Sequence, residues 1–87
     1  MSKQAHDELD PFQQDLVDDA VRHAKRNFHT HWYVLSVYIS NSCTGWVVTS
    51  GYDFHDALEK VVGLRQFADW TVEELAENIA IEHEGVV

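Results

Sequence analysis

The sequence of 87 residues predicts a small α+β domain in which an antiparallel β-hairpin packs against helices, with the element order α-β-β-α-α. Three observations support this prediction: an apolar stripe led by proline, an alternating run of aromatic and β-branched residues, and a helix-capping motif. The apolar fraction of 45% is typical of a globular protein. We therefore expect one domain over residues 1–87, with residues 1–9 as a flexible tail.

The first helix is predicted from about residue 11 to residue 28. Asp10 suits the N-cap, and Pro11 suits the first helical position because its missing N–H is not needed there. Apolar residues then recur at spacings of three and four, which places them on one face of the helix. They are Phe12, Leu16, Val17, Ala20, Val21, Ala24 and Phe28.

A β-hairpin is predicted after this helix. Residues 32–40 are mainly aromatic and β-branched, with apolar side chains on both faces of the strand they predict. Residues 41–45 have turn chemistry, and residues 46–50 form a second short strand. The loop is therefore expected to have about five residues. Because an isolated hairpin is marginal in water, we expect helices 1 and 2 to cover one face. Helix 3, a second copy or a partner protein would cover the other face.

Two more helices are predicted in the C-terminal part. Asp53 suits the N-cap of helix 2, and Gly63 is a natural end for it. Thr71 and Glu74 have the spacing of a capping box, so helix 3 should begin there. We expect helix 3 to continue to Gly85.

Acidic residues dominate the C-terminal part of the chain. There are 15 Asp and Glu against 6 Lys and Arg, which gives a formal charge of -9, and residues 66–87 contain no Lys or Arg. One interpretation is a solvated face that aids solubility, or a halophilic source. Another is a carboxylate stripe on helix 3 that stands in for a phosphate backbone in the basic groove of a nucleic-acid-binding protein. The predicted acidic contact residues are Asp69, Glu73, Glu74, Glu77 and Glu84.

The hairpin offers a second kind of contact surface. Trp32, Tyr38 and Trp46 could supply desolvated aromatic anchors. We combine the two features and predict a small acidic factor that occludes a partner's basic, nucleic-acid-binding surface. Small acidic proteins of phages and other mobile elements often work in this way, so a source of that kind and a host enzyme or defence complex as the target are expected. The alternative is a non-enzymatic regulatory or adaptor domain that forms a homodimer through its aromatic hairpin.

The histidines suggest a second alternative, a metal-binding protein. His29 and His31 are two residues apart at the start of a strand, so they would share a face if the strand includes both. Zinc sites usually need three or four ligands, and no C-x-x-C or H-E-x-x-H motif accompanies this pair. We therefore expect the H-x-H to mark only the edge of a strand.

Other classes of function are not predicted. The sequence shows no phosphate-binding glycine loop and no paired nucleophile and base, so we expect no enzyme and no cofactor. Its acidity argues against direct binding of nucleic acid. Residues 1–9 lack the apolar run of a signal peptide, and no stretch suggests a membrane span, so a cytoplasmic protein is expected.

Overall fold

A computed structural model of the chain describes residues 10–87, so the predicted flexible tail of residues 1–9 lies outside the described residues. The α+β class is confirmed, as is the order of the five predicted elements. A third strand follows them. The elements are α1 (Pro11–Arg26), β1 (His31–Ile39), β2 (Ser42–Gly51), α2 (Phe54–Val62), a 3-10 turn (Arg65–Phe67), α3 (Val72–Ala76) and β3 (Ile79–Val86).

Helix α1 begins as predicted and ends two residues early. The Asp10 carboxylate accepts a hydrogen bond from the backbone N–H of Gln13 at 2.8 Å, and Pro11 opens the helix. At the other end the backbone of Phe28 is left-handed, with φ of 59°. The N–H of His29 then turns back to donate to the carbonyl of Ala24 at 2.8 Å. A residue in this conformation cannot continue a right-handed helix, which is why α1 stops at Arg26.

The hairpin turn is tighter than the predicted five-residue loop. Ile39 pairs with Ser42, so only Ser40 and Asn41 connect the strands. Both have left-handed backbones, with φ of 53° and 66°, as a two-residue type I′ turn requires. The prediction was wrong because the polar run after Asn41 resembles a loop, whereas it extends β2 to Ser42.

The largest difference from the prediction is the third strand. Helix α3 ends at Ala76 instead of continuing to Gly85, and β3 pairs antiparallel with β1 to give the sheet order β2-β1-β3. Asn78 ends the helix: its side-chain amide donates to the carbonyl of Glu74 at 2.8 Å, and its backbone N–H donates to that of Leu75 at 2.9 Å. Strand β3 forms because it supplies hydrogen-bond partners for the backbone N–H and C=O groups of β1 that β2 does not pair.

The sheet separates the helices into two layers, whereas α1 and α2 had been expected on the same face. On the first face, the Thr49 hydroxyl donates to the carbonyl of Ala57 in α2 at 2.9 Å. On the opposite face, the ring of Trp46 meets that of Phe12 in α1, with centroids 5.8 Å apart. The second face is therefore covered by α1 and needs neither helix 3 nor a second copy.

The main core lies between the sheet and the layer formed by α2 and α3. Its fully buried members include Leu35 from the central strand and Leu75 from α3, both with 0% exposure. Leu75 is the buried residue of α3, a helix of only five residues. This side chain therefore fixes the acidic segment against the sheet.

Candidate functional site

A cavity of about 410 Å³ lies where β1 ends and α3 packs beside it, and we call it the acidic cavity. Carboxylates, aromatic rings and the hairpin turn line it, and no Lys, Arg or His does. The lining residues are Tyr38, Ile39, Ser40, Asp69, Trp70, Glu74, Glu77 and Asn78.

Local hydrogen bonds fix the walls of the acidic cavity. The capping box predicted from the sequence is confirmed: the carboxylate of Glu74 accepts from the Thr71 backbone N–H at 2.9 Å, and the Thr71 hydroxyl accepts from that of Glu74 at 3.0 Å. In another part of the wall, the backbone N–H of Tyr38 donates to the carbonyl of Asn78 at 2.7 Å. Glu74 and Tyr38 are therefore held on fixed backbone, which gives the cavity a preformed shape.

The charge of the acidic cavity is not neutralised within the described part of the chain. Asp69, Glu74 and Glu77 are exposed, and no ion pair among residues 10–87 involves any of them. Only Glu74 has part of its carboxylate committed, through the capping box. Three carboxylates around one concave surface create a negative potential that favours a cationic ligand.

A second cavity of about 280 Å³ adjoins the acidic cavity, and we call it the uncharged cavity. Ile39 lines both cavities. The ring of Phe67 in the uncharged cavity meets that of Trp70 in the acidic cavity edge-on, with centroids 5.9 Å apart. Its lining residues are Val37, Ile39, Thr44, Gly45, Trp46, Gln66 and Phe67. This end of the sheet therefore offers a charged and an apolar surface side by side.

The structure brings four of the predicted contact residues together and separates the others. Asp69, Glu74, Glu77 and Tyr38 all line the acidic cavity, and Trp46 lines the uncharged one. Glu73 lies on α3, one turn before Glu77. The expected helical stripe of Glu73, Glu77 and Glu84 is wrong, because Glu84 lies on β3.

Glu84 and Trp32 lie toward the other end of the sheet. Glu84 pairs with Tyr33, five residues before the Tyr38 position on β1, which is about 17 Å along a strand. A Cβ atom on Gly85 would come within 2.6 Å of the Trp32 ring, so this ring packs directly on the backbone of β3. Neither side chain contributes to the two cavities.

Trp70 is a lining residue that the sequence analysis missed. It is half-buried beside Asp69 and lies in the link before α3. The available signal was a tryptophan next to an aspartate, just ahead of a capping box. Its aromatic face matters because a ring next to carboxylates can contact the stem and the charge of a bound Lys or Arg.

The two histidines of the H-x-H motif point to different surroundings. Strand β1 begins at His31, so His29 precedes it. The His31 ring stacks with Tyr33, with an interplanar angle of 9°, whereas His29 is buried and its Nδ1 lies 2.7 Å from the Ser50 hydroxyl. Within residues 10–87 no group of three or more His, Cys, Asp or Glu residues is arranged to hold a metal ion.

His23 of α1, which is half-buried, forms a polar cluster with the buried side chains of Ser50 and His29. The Ser50 hydroxyl lies 2.6 Å from Nδ1 of His23 and 2.7 Å from Nδ1 of His29, and Ser50 has 0% exposure. One hydroxyl can donate to one imidazole and accept from the other, so the three groups satisfy one another. Burial lowers the pKa of His23 below its usual 6.5, and the nearby His29 adds to the effect.

Comparison of the chain with protein-family models, curated proteins and solved structures gives no match. In the described part of the chain, none of the helices has the length and apolar character needed to cross a bilayer.

Proposed function

We propose that this chain is a non-enzymatic protein-binding factor that occludes a basic, nucleic-acid-binding surface of a partner protein. The observation that supports the proposal is the acidic cavity, in which Asp69, Glu74 and Glu77 face a space also lined by Trp70. A cationic side chain from a partner would gain ionic contacts there and shield three carboxylates that repel one another.

The net charge and the aromatic lining of the acidic cavity would act on different steps of binding. The formal charge of -9 attracts a basic surface at long range and raises the association rate, an effect that salt screens. Trp70 and Tyr38, which are half-buried, would supply the desolvated contact that slows dissociation. Binding would therefore weaken with salt without being lost entirely.

The predicted row of carboxylates along helix 3 does not form. Mimicry of nucleic acid in this proposal therefore depends on a cluster of carboxylates. Four of them fall within residues 69–77, and Glu82 and Glu84 extend the negative surface along β3. A groove that holds a phosphate backbone would meet a comparable density of negative charge over a short distance. Occupation of that groove blocks the nucleic acid by steric overlap, with no turnover. A source in a phage or another mobile element fits this mode of action.

The test uses the full chain as bait in lysate of its source cell or of that cell's host. Proteins captured at low salt are challenged with a DNA duplex or a structured RNA. If occlusion operates, nucleic acid displaces the captured protein, because both compete for one basic surface. Capture of proteins that hold the chain and the nucleic acid at the same time would contradict the proposal.

Charge reversal at the acidic cavity provides the matched variant. Asp69→Lys with Glu77→Lys should lower affinity for the captured protein roughly tenfold or more, because both charges lie at the contact. The control is Asp15→Lys with Asp18→Lys on α1, which changes net charge equally at exposed positions outside both cavities. Equal loss of binding in the two variants would mean that net charge alone is responsible, and the cavity would have no special role.

A homodimer formed through the hairpin is the second candidate function. The observation in its favour is the sheet order, which leaves the outer edge of β2 without a partner strand within the described residues. It predicts that Trp46→Ala impairs association more than any reversal of charge. Trp46 also contacts Phe12, so the unfolding midpoint of this variant must be measured before its association is interpreted.

A further inference from the structure

Phe28 is a large apolar side chain in a position that the fold itself does not favour. The residue is 85% exposed, and its backbone has φ of 59°. It occupies the left-handed position of the hydrogen-bonded helix ending, with His29 donating to Ala24 and Phe28 to Lys25. Glycine is preferred there because a Cβ atom is strained in this conformation. Neither packing within residues 10–87 nor backbone preference accounts for a phenylalanine at this position.

The residues before Phe28 carry the densest positive charge of the chain. Lys25 and Arg26 form the last turn of α1 and are exposed. Within residues 10–87 neither has a carboxylate at ion-pair distance, whereas Arg22 is paired with Asp19. An exposed aromatic side chain flanked by cations has the composition of an interface anchor.

The complementary surface lies at the opposite end of the same molecule. The uncharged cavity could receive an aromatic ring, and the adjoining acidic cavity presents Asp69, Glu74 and Glu77. Phe28 precedes the start of β1, whereas both cavities lie at its end. The strand has nine residues, which span about 30 Å. Phe28 therefore cannot reach the cavities of its own chain, but it can reach those of a second copy.

We propose that the chain associates head to tail, with Phe28 of one copy in the uncharged cavity of the next. Lys25 and Arg26 then lie against the carboxylates of the neighbouring acidic cavity. This inference rests on the cavity used in the proposed function, and it makes self-association and partner binding compete for that cavity. The contact joins two different surfaces, so it gives dimers with one free cavity, longer rows or closed rings.

The test uses two full-length variants, each of which damages one surface only. Phe28→Gly removes the ring and relieves the left-handed backbone, so this variant should fold at least as stably as the unmodified chain. Asp69→Lys with Glu77→Lys damages the acidic cavity and leaves Phe28 in place. Sedimentation velocity at low and high salt measures the association of each variant alone and of an equimolar mixture.

The unmodified chain should associate with increasing concentration, and salt should weaken this association. Each variant alone should associate roughly tenfold or more weakly. Their mixture should form a one-to-one dimer and nothing larger, since it contains one intact Phe28 surface and one intact pair of cavities. A monomeric unmodified chain, or a mixture that stays monomeric, would overturn the inference, as would unaltered association of Phe28→Gly.

The two proposals fail in different ways. Phe28→Gly keeps both cavities, so it should still bind the captured basic protein, and an oligolysine peptide serves as a defined probe of the acidic cavity. If the unmodified chain self-associates but binds neither, only the proposed function fails. If it binds them and sediments as a monomer, only the head-to-tail contact fails.

Discussion

The two ends of the sheet differ in whether their polar side chains have partners within the described part of the chain. Where β1 begins, the buried Ser50 hydroxyl lies at hydrogen-bond distance from the buried His29 and the half-buried His23. Where β1 finishes, Asp69 and Glu77 are exposed around a cavity without a cation in its lining. The histidine end has the pattern of a structural polar network, in which each group has a partner. The acidic end has carboxylates without an ion-pair partner among residues 10–87 on a preformed surface, which is the pattern of a contact site.

The largest expected effect comes from removing the support of the acidic end. Leu75→Ala should lower the free energy of unfolding by about 2–5 kcal/mol, because Leu75 is fully buried and attaches the five-residue α3 to the core. Urea denaturation followed by tryptophan fluorescence measures this loss. Leu64→Ala is the matched control, since Leu64 is 42% exposed and should lose far less. Similar losses in both variants would show that α3 is not held by Leu75.

At the histidine end, removal of a single hydroxyl should also lower the free energy of unfolding. Ser50→Ala leaves two imidazole Nδ1 atoms without their shared partner, at an expected cost of about 1–3 kcal/mol. Ser42→Ala, at an exposed position of the same strand, should be close to neutral. If Ser50→Ala unfolds at the same urea concentration as the unmodified chain, the cluster contributes nothing to stability.

The pairing of β3 with β1 connects the two ends and can be tested with glycines. Gly85→Ala places a Cβ atom 2.6 Å from the Trp32 ring and should cost about 1–3 kcal/mol as the ring is displaced. Gly45→Ala has no atom within 4 Å of the new Cβ and should be neutral or slightly stabilising. Thermal unfolding of both variants distinguishes them. Equal midpoints would argue against close packing of Trp32 on β3.

As pH falls, protonation linked to His23 should lower the stability of the fold before the carboxylates are protonated. The folded pKa of His23 is lowered by burial, so the unfolded chain binds more protons than the folded chain as pH falls through about 6.5. Stability should therefore decrease from pH 7 toward pH 5, and this contribution should be constant above pH 7. Lys60 and Arg26, which lie near His23, reinforce the effect. In His23→Gln the slope of unfolding free energy against pH should become shallower; an unchanged slope would assign the dependence to another group.

The smallest expected effect concerns repulsion at the acidic end. Glu73 and Glu77 are four residues apart, so Glu77→Gln should raise stability by a few tenths of a kcal/mol at low salt and by less at high salt. Lys60→Gln provides the opposite case, because the Lys60 ammonium lies 3.0 Å from the Asp56 carboxylate and its loss should be slightly unfavourable. Denaturation midpoints at two salt concentrations measure both. Destabilisation by Glu77→Gln would mean that its carboxylate has a favourable contact within the chain.

Local patterns in the sequence were sufficient for the features that depend on neighbouring residues. The N-cap at Asp10, the capping box of Thr71 and Glu74, and a strand close to the bounds of β1 were all predicted correctly. A cap is stabilised by groups a few residues apart, and a run of aromatic and β-branched residues favours a strand locally, so both can be recognised without knowledge of the fold. The acidity of residues 66–87 is likewise a property of the sequence alone.

The features that depend on distant residues were decided only by the tertiary structure. Residues 79–84 were expected in a helix, because Val72, Leu75 and Ile79 have helical spacing, yet the unpaired edge of β1 makes a strand more favourable there. The same pairing moves Glu84 away from Glu77 and places Asn78 against Tyr38, which forms part of the wall of the acidic cavity. The sequence by itself determined the charge and the local caps. Hydrogen bonding between strands far apart in the chain decided where that charge is displayed.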